Sequence, residues 1–210
     1  MVEIIPSINV LTFQEVRERI KKVEPYVSWC HLDVTDGIFS KHPTWSNPAD
    51  LSLLDTKINI EVHLMVQEPE KVIDTWLIKP IKRLILHLEA ITDIHFLLNK
   101  CHNAHIELCL AIRPDSSAEL LLPWIGKVGM LQLLAVNPGP SGQEMSSAIV
   151  DKITYLRGLC ATCILEVDGG INKDTAKQAR EAGADALVSA AYIFSSPDIQ
   201  TAINELRGII

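Results

Sequence analysis

The feature that most constrains the fold of this chain is a regular alternation of short apolar runs with stretches of helical periodicity. The runs are rich in β-branched residues, and the combined unit recurs about every 26 residues. Eight runs occur, at residues 3–9, 28–34, 58–65, 83–87, 105–112, 128–136, 162–168 and 186–190. Strands that alternate with helices pair in parallel through right-handed crossovers. Because eight units follow one another without a reversal, we predict an α/β fold, a single (β/α)8 barrel of the TIM type.

An open, doubly wound sheet is the alternative architecture. Such sheets usually carry a Gly-rich phosphate-binding turn after the first strand. Here the first apolar run leads into Asn9-Val10-Leu11-Thr12, which contains no glycine. This difference favours the barrel over the open sheet.

Several helix boundaries are indicated by residue chemistry. Thr12 and Glu15 have the spacing of a capping box, and Asn172 can cap a helix that stops at Gly183. A further helix is expected to start at Ser146 or Ser147. We find no linker rich in Pro, Gly or Ser and therefore expect one domain spanning residues 1–210.

Composition limits the partners and the compartment. The chain has 19 Lys and Arg against 26 Asp and Glu, a net charge of −7, and these charges are scattered. We therefore expect no nucleic-acid partner and no binding to a membrane surface. The N-terminus lacks the pattern of a signal peptide, and no apolar run is long enough to span a bilayer, so a cytoplasmic protein is expected. Whether the chain forms a homo-oligomer stays open.

The five cysteines are an odd number in a chain large enough to be stable without cross-links. We therefore expect reduced thiols. Cys160 and Cys163 have redox or zinc spacing, but no second cysteine pair lies nearby. We interpret both as small apolar residues packed in the core.

Polar residues at the ends of the apolar runs indicate where the chemistry lies, because barrels of this kind place it at the carboxyl ends of their strands. His31 and Asp33 are two residues apart and so share one face of a strand, while His63 and Asp168 end two other runs. Two imidazoles and two carboxylates suit Zn²⁺, Mn²⁺ or Fe²⁺ rather than Ca²⁺. We predict one divalent metal ion at this site. The alternative is a set of separate buried histidines bonded to backbone carbonyls.

Small-residue turns follow the sixth, seventh and eighth runs, at residues 137–143, 168–171 and 189–191. Glycine-rich turns let backbone N–H groups approach an anion, and the loops after the last strands form the usual phosphate site of such barrels. No Lys or Arg occurs in these turns. We therefore predict phosphate binding through backbone dipoles and a helix N-terminus, at Gly139, Ser141, Gly142, Gly169, Gly170, Ala190 and Ala191.

Motifs along nearly the whole chain resemble the ribulose-phosphate 3-epimerase family. They include H-x-D at residues 31–33, V-H-L-M at 62–65, N-P-G at 137–139 and V-D-G-G-I at 167–171. The resemblance implies a (β/α)8 barrel that holds a divalent metal through His31, Asp33, His63 and Asp168. It also implies an isomerase of carbohydrate metabolism that acts on a ketose phosphate. Contacts to the substrate are expected from Ser7, Asn9, His63, Met65 and Asn137.

The implied mechanism is inversion at C3 through a metal-stabilised enediolate. Inversion needs two proton-transfer groups on opposite faces of the substrate, and Asp33 and Asp168 fit these roles. A non-catalytic barrel that binds metal and sugar phosphate is the alternative, since several of the family's site residues are replaced here. Decarboxylation or aldol chemistry is disfavoured because no Lys stands among the strand-end residues.

The replacements affect the expected substrate. Asn9, Thr35, Lys41 and His42 are expected to add polar groups where the family has mostly Leu, Met and Pro. Polar groups that bond a sugar hydroxyl discriminate strongly against substrates that lack it. We therefore expect ribulose 5-phosphate to be a slow substrate or not the best one.

Overall fold

A closed barrel of eight parallel strands forms the centre of the molecule, in a computed structural model that describes residues 2–208. The strands are β1 Glu3–Ile8, β2 Trp29–Thr35, β3 Asn59–Met65, β4 Ile81–His87, β5 Glu107–Ile112, β6 Leu131–Leu134, β7 Leu165–Asp168 and β8 Ala186–Ser189. They pair in chain order, and β1 closes the ring by pairing with β8, where Ile5 faces Val188. The predicted (β/α)8 barrel is confirmed.

The strands are buried along almost their whole length, as expected when helices cover the outside of a barrel and side chains fill its inside. Outward-facing Leu32, Val62, Leu84 and Leu110 belong to one continuous apolar core between the barrel and its surrounding helices. The interior of the barrel has an apolar region and a polar region. Apolar side chains of β1 and β8, namely Ile5, Ala186 and Val188, form a small cluster there, whereas the region around β3 to β7 contains buried charged and amide groups.

The helices begin and end largely where their capping residues predict. Over residues 2–208 they are α1 Phe13–Val23, α2 Ile73–Trp76, α3 Ile94–Asn103, α4 Ala148–Leu159, α5 Lys173–Ala182, α6 Ala191–Phe194 and α7 Ile199–Arg207. Thr12 and Glu15 form the predicted capping box, and Asn172 caps α5. Gly183 ends α5 with φ +110°, a conformation that only glycine adopts easily. α4 follows Ser147, although the Ser147 side chain makes no capping bond.

The expected helix between every pair of strands is only partly present. The connections after β2 and β5 contain 3-10 turns, at Pro48–Leu53 and Ala118–Trp124, and the connection after β3 contains only a 3-10 turn and the short α2. Pro123 lies inside the 3-10 turn at Ala118–Trp124. Because proline has no N–H to donate and its ring clashes with the preceding turn, it opposes a regular α-helix there.

The prediction that all cysteines are reduced thiols packed in the core is wrong for two of them. Cys160 and Cys163 form a disulfide in the loop between α4 and β7. α4 ends at Leu159, and the loop then turns so tightly that the two Cα atoms lie 5.6 Å apart, with Ala161 and Thr162 exposed between them. The other three cysteines, Cys30, Cys101 and Cys109, are free and buried.

Met1, Ile209 and Ile210 lie outside the described residues, so the expected single domain of residues 1–210 stays a prediction. Within residues 2–208, no helix combines the length and the apolar character that a membrane crossing requires.

Candidate functional site

Four side chains converge at the carboxyl ends of three strands. His31 and Asp33 come from β2, His63 from β3 and Asp168 from β7. The register places Asp33 opposite His63, while β7 is separated from β2 by β1 and β8. The two carboxylates therefore reach the centre from different sides of the barrel.

The facing atoms of these side chains are close together. His31 Nε2 lies 3.3 Å from Asp33 Oδ1, and His63 Nδ1 lies 3.2 Å from Asp168 Oδ2. The crossed distances, His31 Nε2 to Asp168 and His63 Nδ1 to Asp33, are 3.7 and 3.4 Å. One potential ligand atom from each of the four residues lies within 4.8 Å of all the others.

The hydrogen-bonding state of these atoms fits a bound cation. His31 Nε2, Asp33 Oδ1 and His63 Nδ1 are buried and have no hydrogen-bond partner among the described residues. Buried polar atoms are normally paired, because an unpaired one loses its hydration without compensation. Three such atoms that face one point, with an imidazole and carboxylate donor set, suit a transition metal.

Charge is strongly coupled within this cluster. Burial alone would lower the pKa of both histidines, but the neighbouring carboxylates outweigh it and raise the pKa of His31 and His63. Burial alone would raise the pKa of Asp33, but its contacts with His31 and His63 hold the pKa of Asp33 well below its ordinary value. Each effect has the same cause, since opposite charges lie side by side in a poorly hydrated place.

His31 is held from behind by a line of charged side chains, here called the His31 arm. His31 Nδ1 lies 2.7 Å from Glu61 Oε1, and Arg83 donates to Glu61 Oε2 at 2.8 Å. Arg83 also donates to Glu107 at 2.7 Å. Glu61 is fully buried and Arg83 is nearly so. With Glu61 accepting at Nδ1, the Nε2 atom of His31 is the one left to bind a ligand.

His63 is held by a different set, here called the His63 arm. His63 Nε2 lies 2.9 Å from His87 Nε2, and His87 Nδ1 lies 3.2 Å from Glu89 Oε2. Burial lowers the pKa of His87 to about 4, so this ring is neutral at pH 7. Glu89 is fixed in turn by the backbone N–H of Arg113 at 2.7 Å.

Aromatic packing covers the His63 arm. The ring of His87 stacks on His63 with centroids 4.9 Å apart, and the ring of Phe39 packs against His87 with centroids 4.7 Å apart. The guanidinium of Arg113 lies over Phe39, 4.3 Å from the ring centroid. Phe39 therefore links the His63 arm to the guanidinium of Arg113.

A second buried acid lies below the cluster. Glu166 accepts a hydrogen bond from Gln132 at 3.0 Å, while its Oε2 atom has no partner within residues 2–208. Burial and the nearby Glu61 raise the pKa of Glu166 well above its ordinary value. The pKa values of Glu166 and Asp33 are therefore shifted in opposite directions within one small region of the barrel.

A cavity of about 350 Å³ opens beside the four residues. Most residues predicted to bind substrate or phosphate line it, namely Ser7, Asn9, Asp33, Met65, Asn137, Gly139, Ser141, Gly142, Asp168, Gly169, Gly170, Ala190 and Ala191. His31 and His63 do not line it, because both are completely buried beneath Asp33 and Asp168. The side chains of Asp33 and Asp168 are each 10% exposed, so they are the groups of the cluster that reach the cavity.

The turns predicted to hold phosphate meet along one wall of this cavity. Gly169 and Gly170 have φ values of +103° and +68°, and a Cβ on Gly170 would lie 2.3 Å from the backbone N of Met145. Glycine is therefore required where the turn after β7 packs against the turn after β6. Ala190 has a negative φ of −107°, so this position does not require glycine.

The expected polar wall is smaller than the sequence indicates. Asn9 lines the cavity, with its Nδ2 donating to Asp33 Oδ2 at 3.4 Å and to Gly139 O at 3.3 Å. His42 lies behind it, 3.0 Å from Asn9 Oδ1. Thr35 is buried and its hydroxyl donates to the His42 carbonyl, whereas Lys41 points to solvent. Thr35, Lys41 and His42 do not line the cavity, and that part of the expectation is wrong.

The residues that sequence reasoning missed are those behind the ligands. The predicted strand-end ligands do not include Glu61, Arg83 or Glu89, which hold the two histidines in place. One signal was present. Glu61 precedes His63 by two residues and Glu166 precedes Asp168 by two, so both acids share the inward face of their strands.

Comparison with known proteins shows the family to which the chain belongs. A profile of the ribulose-phosphate 3 epimerase family matches residues 3–194. The ribulose-phosphate 3-epimerase of Chlamydia pneumoniae is 34% identical over 85% of this chain and 82% of that protein. The ribulose-phosphate 3-epimerase of Bacillus subtilis (strain 168) is 29% identical over 99% of both chains.

Solved structures agree with the architecture. A crystal structure of 3-hexulose-6-phosphate synthase superimposes with a TM-score of 0.71 and 14% identity, covering 100% of both chains. At this identity the likeness concerns the fold alone.

Proposed function

Because this chain belongs to the ribulose-phosphate 3-epimerase family and is an isomerase, we propose that it inverts C3 of a ketose phosphate. Ribulose 5-phosphate and its C3 epimer, xylulose 5-phosphate, are the first substrates to test, since the relatives are named for ribulose phosphate. The observation that carries the proposal is the cluster of unpartnered ligand atoms beside the cavity, with one carboxylate from each of two distant strands.

We propose that His31, Asp33, His63 and Asp168 hold one divalent ion, Zn²⁺, Mn²⁺ or Fe²⁺. The partnerless nitrogen and oxygen atoms and the absence of an all-oxygen donor set support this choice. When bound, such an ion supplies Lewis acidity that polarises a substrate carbonyl and makes the adjacent C–H more acidic.

Proton transfer is assigned to Asp33 and Asp168. Both carboxylates reach the cavity, and they approach it from strands separated by β1 and β8, so one can serve each face of a bound sugar. The low pKa of Asp33 keeps it ionised and ready to accept the C3 proton. Ser7 donates to Asp33 Oδ2 at 2.7 Å, which orients the carboxylate. The acid on the opposite face then returns a proton with inversion.

We place the phosphate group of the substrate against the turns at residues 137–143, 168–171 and 189–191. The cavity wall there consists of glycine, alanine and serine backbone, and these turns contain no Lys or Arg. Recognition through backbone N–H groups therefore supplies the binding energy. A sugar without phosphate is expected to bind much more weakly, and equal binding would contradict this placement.

The preference against ribulose 5-phosphate stays a prediction, and fewer polar residues at the cavity wall support it than the sequence indicates. Of the four polar residues expected around the site, Asn9 alone lines the cavity, and its amide already bonds Asp33, Gly139 and His42. Kinetics of ribulose 5-phosphate and a longer ketose phosphate, measured side by side, test it. A kcat/KM for ribulose 5-phosphate near the diffusional range, about 10⁷ to 10⁸ M⁻¹s⁻¹, contradicts it.

The proposed reaction is tested by NMR in D2O. The wild-type protein, loaded with Mn²⁺ or Zn²⁺ and then freed of excess metal, is expected to convert ribulose 5-phosphate and to place deuterium at C3. Asp33→Asn and Asp168→Asn should each lower inversion by about 10²- to 10⁴-fold. Each variant keeps one carboxylate and should still exchange the C3 proton of one epimer, and metal analysis of the same samples separates lost chemistry from lost metal. Absence of C3 exchange in the metal-loaded wild-type protein contradicts the proposal.

A further inference from the structure

Two of the five cysteines differ from the rest in their surroundings. Cys30, Cys101 and Cys109 are buried, and burial raises the pKa of all three, to about 12 for Cys101. Such thiols are poor nucleophiles at pH 7. Cys160 and Cys163 are only half-buried and lie at the amino end of β7, at the opposite end of the barrel from the proposed active site.

The loop that carries this pair is held by side-chain contacts as well as by the disulfide. The guanidinium of Arg157 donates to the carbonyls of Cys160 and Ala161, each at 3.1 Å, and to that of Cys163 at 2.9 Å. Its other nitrogens donate to Gly183 O, at 2.8 and 3.0 Å. Because these bonds do not depend on the sulfur atoms, the loop is built to keep the two cysteines adjacent when they are reduced.

The two sulfur atoms are not equivalent. The backbone N–H of Cys163 donates to Cys160 Sγ at 3.1 Å. A hydrogen bond of this kind stabilises negative charge on the accepting sulfur. Cys160 is therefore suited to be the attacking thiolate and Cys163 the thiol that resolves the intermediate.

A second cavity, of about 220 Å³, lies beside the pair. Both cysteines line it together with Thr162, and the rest of the wall is mostly apolar, including Trp124, Met130 and Ile164. Access from this side gives a small molecule a route to the sulfur atoms. Among the described residues, this cavity and the cavity of the proposed active site share no lining residue, so the chemistry at the two ends is spatially separate.

We propose that Cys160 and Cys163 form a reversible dithiol/disulfide site that exchanges with low-molecular-weight disulfides of the glutathione type. In the oxidising direction, the Cys160 thiolate attacks one sulfur of the small disulfide, whose S–S bond breaks and releases one thiolate. The Cys163 thiol then loses its proton to solvent, and its sulfur attacks Cys160, releasing the second small thiolate. Two electrons pass from the protein dithiol to the small disulfide, and the reverse sequence reduces the protein.

The test uses the full chain and mass spectrometry under native conditions. After reduction with dithiothreitol and its removal, two thiols should react rapidly with iodoacetamide. After treatment with oxidised glutathione, the protein should be about 2 Da lighter and lack those two reactive thiols. Cys163→Ser should instead retain one glutathione on Cys160, and Cys160→Ser should acquire it at least about tenfold more slowly. Cys101→Ser is the matched control and should behave as the wild type does.

Several results overturn the proposal. One is a wild-type pair that stays reduced in excess oxidised glutathione, and another is a disulfide that dithiothreitol reduces only after the protein is unfolded. Equal reactivity of Cys101 and the pair also contradicts it. Faster modification of Cys160→Ser than of Cys163→Ser overturns the assigned order of attack. The wild-type measurements need no variant, so a variant that fails to fold leaves the test intact.

Discussion

The two histidines of the proposed metal site face the same point but are supported in different ways. In the His31 arm the ligand ring meets a buried carboxylate, Glu61, which is paired with Arg83. In the His63 arm the ligand ring meets a neutral ring, His87, and the carboxylate of Glu89 lies one residue further away. A carboxylate that accepts directly from an imidazole raises the basicity of the other nitrogen more than a neutral acceptor does.

The two arms are therefore expected to play different roles in metal binding. Contact with Asp33 and Glu61 raises the pKa of His31 well above its ordinary value, while the pKa of His63 is raised by Asp168 and Asp33 alone. We expect the His31 arm to set most of the affinity for metal. The His63 arm, covered by its aromatic stack, mainly keeps its ring in place.

Removal of a ligand should have the largest effect. His31→Ala leaves three donors, and the affinity for Mn²⁺ or Zn²⁺ is expected to fall about 10²- to 10³-fold, since each of four donors supplies roughly a quarter of the ~10 to 16 kcal/mol typical of protein zinc sites. Isothermal titration calorimetry on the metal-free protein measures this. Unchanged affinity would show that His31 is not a ligand.

The pH dependence of metal binding should be the next largest effect. Because the pKa values of His31 and His63 are raised, a metal ion must displace protons from these rings, and affinity should increase with pH. For one displaced proton the increase is about 100-fold between pH 6 and pH 8. Titrations in buffers of different ionisation enthalpy count the protons released. An affinity that does not change with pH contradicts the assignment of the charges.

Glu61→Gln tests the His31 arm without touching a ligand. The amide cannot stabilise the ring as a carboxylate does, so affinity should fall about 10- to 100-fold, with a shallower pH dependence. Loss of the buried partner of Arg83 should also lower the thermal midpoint. Glu107→Gln is the matched control, because it removes the other partner of Arg83 but does not contact His31. Equal losses of metal affinity in the two variants would point to a general structural effect.

Glu89→Gln should have the smallest effect, less than about tenfold on metal affinity, because Glu89 acts on His63 only through His87. Ser116→Ala removes another partner of Glu89 and serves as its control. A loss in Glu89→Gln as large as that in Glu61→Gln would mean that the two arms are equivalent.

The barrel, and the meeting of the four proposed ligand residues at one place, follow from the sequence for a physical reason. Buried parallel strands leave long apolar runs, and a polar residue such as Asp168 at the end of a run stands out. Spacing of two residues places His31 and Asp33 on one face regardless of the exact strand ends. The apolar runs predict the first residue of a strand less well. The runs that start at Val128 and Thr162 each begin three residues before β6 and β7.

What the sequence does not predict depends on contacts between distant segments. The bond between His63 and His87 joins two strands, and the burial of Thr35 depends on where the loop at His42 returns. The number of cysteines and the length of the chain predict reduced thiols, but they do not show which cysteines lie next to each other. Its formation depends instead on the turn that brings Cys160 and Cys163 together after α4.

The central claim is that four side chains from β2, β3 and β7 bind one divalent metal ion. Anomalous diffraction from crystals of the Mn²⁺- or Zn²⁺-loaded protein tests it most directly. We expect one strong peak per chain, about 2.0 to 2.2 Å from His31 Nε2, Asp33 Oδ1, His63 Nδ1 and Asp168 Oδ2. A metal-loaded crystal with no peak among these atoms, or with the peak elsewhere in the chain, would contradict the account.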